Sequence, residues 1–195
     1  MASPYIGLNH DQWQKKTDEL IADFPLSMDE LVEVVKLSWD GVFASRIGKK
    51  GYRIGKDLFP KPQIVAFILH ELIPRELQAR HPALWRGEES AVDKDIVYIP
   101  DRTMSIEIKT SSHKAKIYGN RSYAQTGDAP KKDKSGYYLA INFEALTKKA
   151  TQPVLRRIRF GWIDHSDWRG QIKATGQQAN LSAEVERGKL RVLFE

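Results

Sequence analysis

Between Met104 and Thr110 the chain reads Met-Ser-Ile-Glu-Ile-Lys-Thr, an unbroken alternation of apolar and polar side chains. Successive residues of a β-strand point to opposite faces, so such a run is suited to a strand with one face buried. Met104, Ile106 and Ile108 then enter a core, while Ser105, Glu107 and Lys109 share the other face. A carboxylate beside an ammonium on a strand is most often a surface ion pair. Here it is the chain's single carboxylate-x-Lys triplet, and it follows a second strand-like run, Asp95–Ile99.

The two runs read as a hairpin turning around Pro100-Asp-Arg-Thr103. If Ile99 pairs with Ser105, Asp95 falls opposite Lys109; a register shifted by two places it opposite Glu107. Either gathers three polar groups on one face, whereas an odd shift turns Asp95 away. Asp93 also precedes the strand, but Asp95 is the stronger candidate because Ile96 and Val97 follow it directly. Two carboxylates and an amine suit phosphodiester hydrolysis. Mg²⁺ prefers oxygen ligands and keeps several waters, so Asp95 and Glu107, with the carbonyl of Ile108, can hold it. Lys109 can then position the attacking water or stabilise developing charge.

The N-terminal third reads as helical. One helix spans about Asp11 to Phe24, and Ser27-Met-Asp-Glu30 is a capping box opening a second. Pro62 suits the first turn of a third, running to about Ile73, where Pro74 kinks or ends it. Strand candidates follow at Tyr137–Phe143, Arg157–Ile163 and Lys189–Phe194. Helices first and strands after predict an α+β fold, an α/β/α sandwich with a mixed, mostly antiparallel central sheet. The 195 residues fit one domain, 1–195, since no linker or repeat divides them.

Composition narrows the partners. The net charge of +6 raises the prior for a polyanion such as DNA. Zero cysteines exclude disulfides and thiolate metal sites, and five scattered histidines offer no zinc-ligand pair. No apolar run can span a bilayer, and the first twenty residues lack the layout of a secretory signal, so the expected location is the cytoplasm.

The hairpin, Asp95-Ile-Val-Tyr-Ile followed by Ser-Ile-Glu107-Ile-Lys109-Thr-Ser-Ser, resembles the core of the PD-(D/E)xK nuclease superfamily, although no proline precedes the Asp. Gly119-Asn-Arg-Ser-Tyr-Ala-Gln125 further resembles the ScaI-type restriction enzymes. The resemblance implies a Type II restriction endonuclease cutting duplex DNA with Mg²⁺, for which Mn²⁺ can substitute, to leave 5′ phosphates. It also implies a homodimer acting on a palindrome and a methyltransferase encoded nearby. Superfamily members often carry a Glu on the helix before the hairpin, which points to Glu71 as an accessory carboxylate. On periodicity Glu71 shares a helix face with Ile64, Phe67 and Ile68, although an ion pair with Arg75 also accounts for it.

Two segments have the composition to hold DNA. The loop Arg46–Lys56 carries Lys49, Lys50 and Arg53 among glycines that let backbone approach a phosphate. Asn120, Arg121, Ser122 and Gln125 follow the catalytic strand, and Arg, Asn and Gln match guanine and adenine edges in the major groove. His113-Lys114-Ala-Lys116 lies between them and the motif, and Thr175–Asn180 is a second reading loop.

Overall fold

The computed structural model describes residues 2–124, 133–173 and 175–195. Along the chain run α1 (His10–Ala22), α2 (Met28–Ala44), β1 (Arg46–Ile47), β2 (Tyr52–Arg53), α3 (Pro62–Arg80), β3 (Trp85–Gly87) and β4 (Ile96–Tyr98). They are followed by β5 (Ile106–Ser111), β6 (Tyr118–Asn120), β7 (Gly136–Phe143), β8 (Leu155–Ile163), β9 (Arg169–Gly170), β10 (Gln178–Asn180), α4 (Ala183–Lys189) and β11 (Arg191–Phe194). The helix-then-sheet order matches the α+β expectation. Among the described residues no helix is long and apolar enough to cross a membrane.

Ser27 caps α2 as expected, its Oγ accepting the Glu30 amide at 3.2 Å, but the Glu30 carboxylate bonds His81 at 2.8 Å instead of closing the capping box. Leu31, Val34, Val35, Trp39 and Val42 form the buried stripe of that helix. The third helix is longer than the sequence led us to expect, reaching Arg80 with Pro74 inside it. A proline in a helix interior costs about 3 kcal/mol. Complete burial of Ile73 and Leu77 on either side of it offsets that cost.

Six strands form the central sheet in the order β11-β8-β7-β5-β4-β3. β5 and β7 run parallel and every other pair is antiparallel, so the sheet is mixed. β7 is buried from end to end because it serves two cores. Tyr137, Leu139, Ile141 and Phe143 meet α2 and α3, whereas Tyr138 and Ala140 face the second core. That second face is covered by α4 and by a three-stranded sheet, β6-β10-β9.

Several boundaries moved. Met104 belongs to a short 3-10 turn, Arg102–Met104, so the strand carrying Glu107 and Lys109 starts at Ile106. Lys189, expected in a strand, ends α4 instead. The basic loop is a hairpin, β1 against β2, whose turn uses positive φ at Gly48 and Gly51. Where α4 ends, its backbone presses on β8: a Cβ at Gly161 would lie 2.0 Å from the Lys189 carbonyl oxygen. Gly161→Ala is therefore expected to cost about 2–3 kcal/mol by forcing the two elements apart. A urea midpoint equal to wild type would contradict that contact.

Candidate active site

Ile96 pairs with Ile106, a register that, continued one residue beyond β4, sets Asp95 across from Glu107. This is the second of the two even registers open to the sequence. Asp95 does not enter the hydrophobic interior. Its side chain is 14% exposed, its Oδ2 accepts the Ile108 amide at 2.6 Å and it lies 3.7 Å from Nδ1 of His70 on α3. It lines a cleft of about 530 Å³ together with Gln63, Phe67, His70, Glu71 and Arg75.

On β5, Glu107 and Lys109 pair with Tyr138 and Ala140 of the parallel neighbour, so they share the face of the second core. Glu107 is 3% exposed. Its Oε1 accepts from Lys109 Nζ at 2.7 Å and, in a shorter bond, from the hydroxyl of Tyr123. The Lys109 ammonium also lies 3.0 Å from that hydroxyl and 4.5 Å from the centre of the ring. Burial, with the Glu107 carboxylate beside it, drives the Tyr123 pKa far above the ordinary phenol value. The phenol therefore keeps its proton and donates it.

Tyr123 was not among the candidate residues. It sits among the polar residues after β6, where nothing local marks a contact sixteen residues back. Asp93, the other acidic candidate, is occupied elsewhere. It is buried and binds Arg86 at 3.1 Å, Arg102 at 3.2 Å and the Glu89 amide.

Glu71 does not lie on the buried face of α3. The face it shares is the outer one: Ile64 and Phe67 are 52% and 64% exposed, while Val65, Leu69, Ile73 and Leu77 are buried. Both stripes of α3 are apolar, so periodicity alone could not tell which would meet the sheet. Glu71 is half-exposed, 3.6 Å from Arg75, and lines the Asp95 cleft. Among the described residues no three His, Asp or Glu side chains gather at metal-ligand spacing.

The model of the ScaI restriction endonuclease family matches residues 3–194. The chain belongs to the ScaI restriction endonuclease family. It is 45% identical over 190 residues to the Type II restriction enzyme ScaI of Streptomyces caespitosus, covering 96% of this chain and 83% of that protein. No solved structure matches it. As a site-specific restriction endonuclease it acts on DNA, and Type II enzymes of this kind generally use a divalent metal.

In this ScaI-family chain Lys49, Lys50 and Arg53 are exposed on the β1–β2 hairpin. Asn120 and Ser122 are exposed, and Gln125 lies outside the described residues. The two expected reading loops join in one sheet, with Asn120 paired to Gln178. Arg121 has a structural task there: its Nη1 donates to the carbonyls of Lys173 and Gly176, each at 3.1 Å, tying the β9–β10 loop to the Arg121–Ala124 turn. Behind the motif, Asn142 donates to the carbonyls of His113 and Lys116, and buried Arg159 donates to that of Ala115. These bonds hold the basic segment that follows β5. Neither residue carried a local sign of that role in the sequence.

Proposed function

We propose that the chain is a Mg²⁺-dependent Type II endonuclease, a single nuclease domain that cuts both strands of a short palindrome and leaves 5′ phosphates. The observation supporting it most is the β4–β5 register, which sets Asp95 across from Glu107, itself bonded to Lys109, with Asp95 lining an open cleft. The donor set fits a hard cation. Two carboxylates and the Ile108 carbonyl offer oxygen alone, and Mg²⁺ needs few protein ligands because it retains water and takes the scissile phosphate. Bound there, a divalent ion supplies Lewis acidity toward the phosphate and the attacking water; Mn²⁺ can replace Mg²⁺.

Asp95 and Glu107 would hold the ion. Lys109 orients the water and offsets the charge developing on the phosphate oxygens. Water adds to phosphorus, the bond to O3′ breaks, and a 5′ phosphate and a 3′ hydroxyl result. Glu71 is the accessory carboxylate of the same cleft, and its exposed pairing with Arg75 is too weak to compete for it. Lys49, Lys50 and Arg53 neutralise phosphates, while Asn120, Arg121, Ser122 and Gln125 belong to the base-reading side. One chain carries one site, so cutting both strands of a palindrome calls for a homodimer. Host DNA in the same cytoplasm would be protected by a methyltransferase encoded nearby.

Digestion of a sequenced plasmid by the purified protein tests this reading. In Mg²⁺ or Mn²⁺, discrete fragments with 5′ phosphates are expected at one recurring palindrome, and none in EDTA. Cuts confined to branched or mismatched DNA would reassign the chain to repair or junction resolution. Binding without cutting in either metal would remove the catalytic role.

A further inference from the structure

We propose that Tyr123 is a latch: its hydroxyl keeps Glu107 closed to a divalent ion until the β6-β10-β9 sheet engages DNA. The inference rests on the metal-dependent reading above. Oε1 of Glu107 accepts from both Lys109 and Tyr123, and the carboxylate is almost fully shielded from solvent. A cation approaching that oxygen meets the Lys109 ammonium 2.7 Å from it, and like charges at that separation repel. Loading that oxygen therefore requires the Tyr123–Lys109 arrangement to open.

Tyr123 is positioned by elements other than the catalytic strands. Its ring packs edge-on against Trp168 at 5.3 Å, and both rings lie against Gly119, where an added Cβ would come within 3.3 Å of each. The turn carrying Tyr123 begins at Arg121, whose amide donates to the Gln177 carbonyl at 2.8 Å and whose guanidinium grips the β9–β10 loop. Lys134 donates to the carbonyl of Ser122 from the other side. Any shift of the exposed β9–β10 loop on DNA is thus passed by direct bonds to the residue next to the Glu107 carboxylate. Base recognition and metal loading share one moving part. Two sites coupled through one two-state element bias each other reciprocally.

The test measures Mn²⁺ binding by electron paramagnetic resonance on the intact protein, alone and with saturating cognate or one-base-changed duplex. Wild type is expected to bind Mn²⁺ about tenfold tighter with the cognate duplex than alone, a typical allosteric coupling. Tyr123→Phe keeps the ring and its packing but removes the hydroxyl. It is expected to bind Mn²⁺ about tenfold tighter than wild type without DNA, and to cut one-base-changed sites more readily relative to the cognate site. A DNA-free affinity in Tyr123→Phe that is unchanged or weaker overturns the latch, because a purely structural tyrosine gives that result. Wild-type affinity indifferent to duplex overturns it as well, while leaving the nuclease reading intact. Absence of Mn²⁺ binding under every condition removes both.

Discussion

Lys109→Ala is expected to lose about 10²–10³-fold in single-turnover cleavage, the scale on which removal of one charge-stabilising donor acts. Duplex binding in Ca²⁺ is expected to stay within about threefold of wild type, since one charge near a single phosphate is a small share of the many contacts that set affinity. The ammonium touches Glu107 and Tyr123 rather than the exposed basic hairpin, so in the proposed mechanism its loss alters the chemistry and leaves the proposed DNA-holding surface untouched. Tyr123 still donates to Glu107 in the variant, which keeps the buried carboxylate satisfied and the fold intact. Cleavage at the wild-type rate would remove Lys109 from the mechanism. Equal loss of binding and cleavage would move it to the DNA-holding surface.

The largest stability effect is expected far from the site, at Lys189. This buried ammonium reaches Asp164 Oδ2 at 2.8 Å and both oxygens of Asp167, at 3.0 and 2.8 Å. It also sits 4.4 and 4.5 Å from the ring centres of Tyr5 and Trp13. Asp164 in turn accepts from Ser3 and the Trp162 indole, so the cluster ties the N-terminal segment, the end of β8 and α4 together. Lys189→Ala leaves two buried carboxylates without their cation, a change worth about 3–5 kcal/mol. In a chain of this size that lowers the thermal midpoint by about 10 °C.

The sign of the pH dependence follows from Asp167. Burial already raises its pKa in the folded chain, and Lys189 is what pulls it back down. Without Lys189 the folded pKa rises further above the unfolded one. The deficit is then smallest at low pH and grows as pH climbs through the folded value. A pH-independent deficit would assign the loss to packing rather than to charge. Replacing Asp167 by Asn in the Lys189→Ala background is expected to recover part of the stability, since it removes one unpaired charge.

Short-range patterns carried much of this molecule. Ser27 capped its helix, the run around Glu107 became a strand with Ile106 and Ile108 in the core, and the apolar stretch at Tyr137 became the central strand. Each depends on contacts within a few residues or on a face that must be buried, and both are legible in residue order. The site itself was legible as far as a parity: Asp95 had to share a face with Glu107 and Lys109 if the hairpin shift was even.

Tertiary packing decided the remainder. Which even register formed depended on how β4 fits between β3 and β5, and which apolar stripe of α3 turned inward depended on the sheet it met. The β6–β10 pairing joins residues about sixty apart through three-residue strands too short to show a period. Tyr123 meets Glu107 only because that second sheet folds back over the first. Residue order determined which groups could do chemistry, because side-chain alternation is a local property of the backbone. The contact of Tyr123 with Glu107 was decided by long-range packing, which no local period encodes.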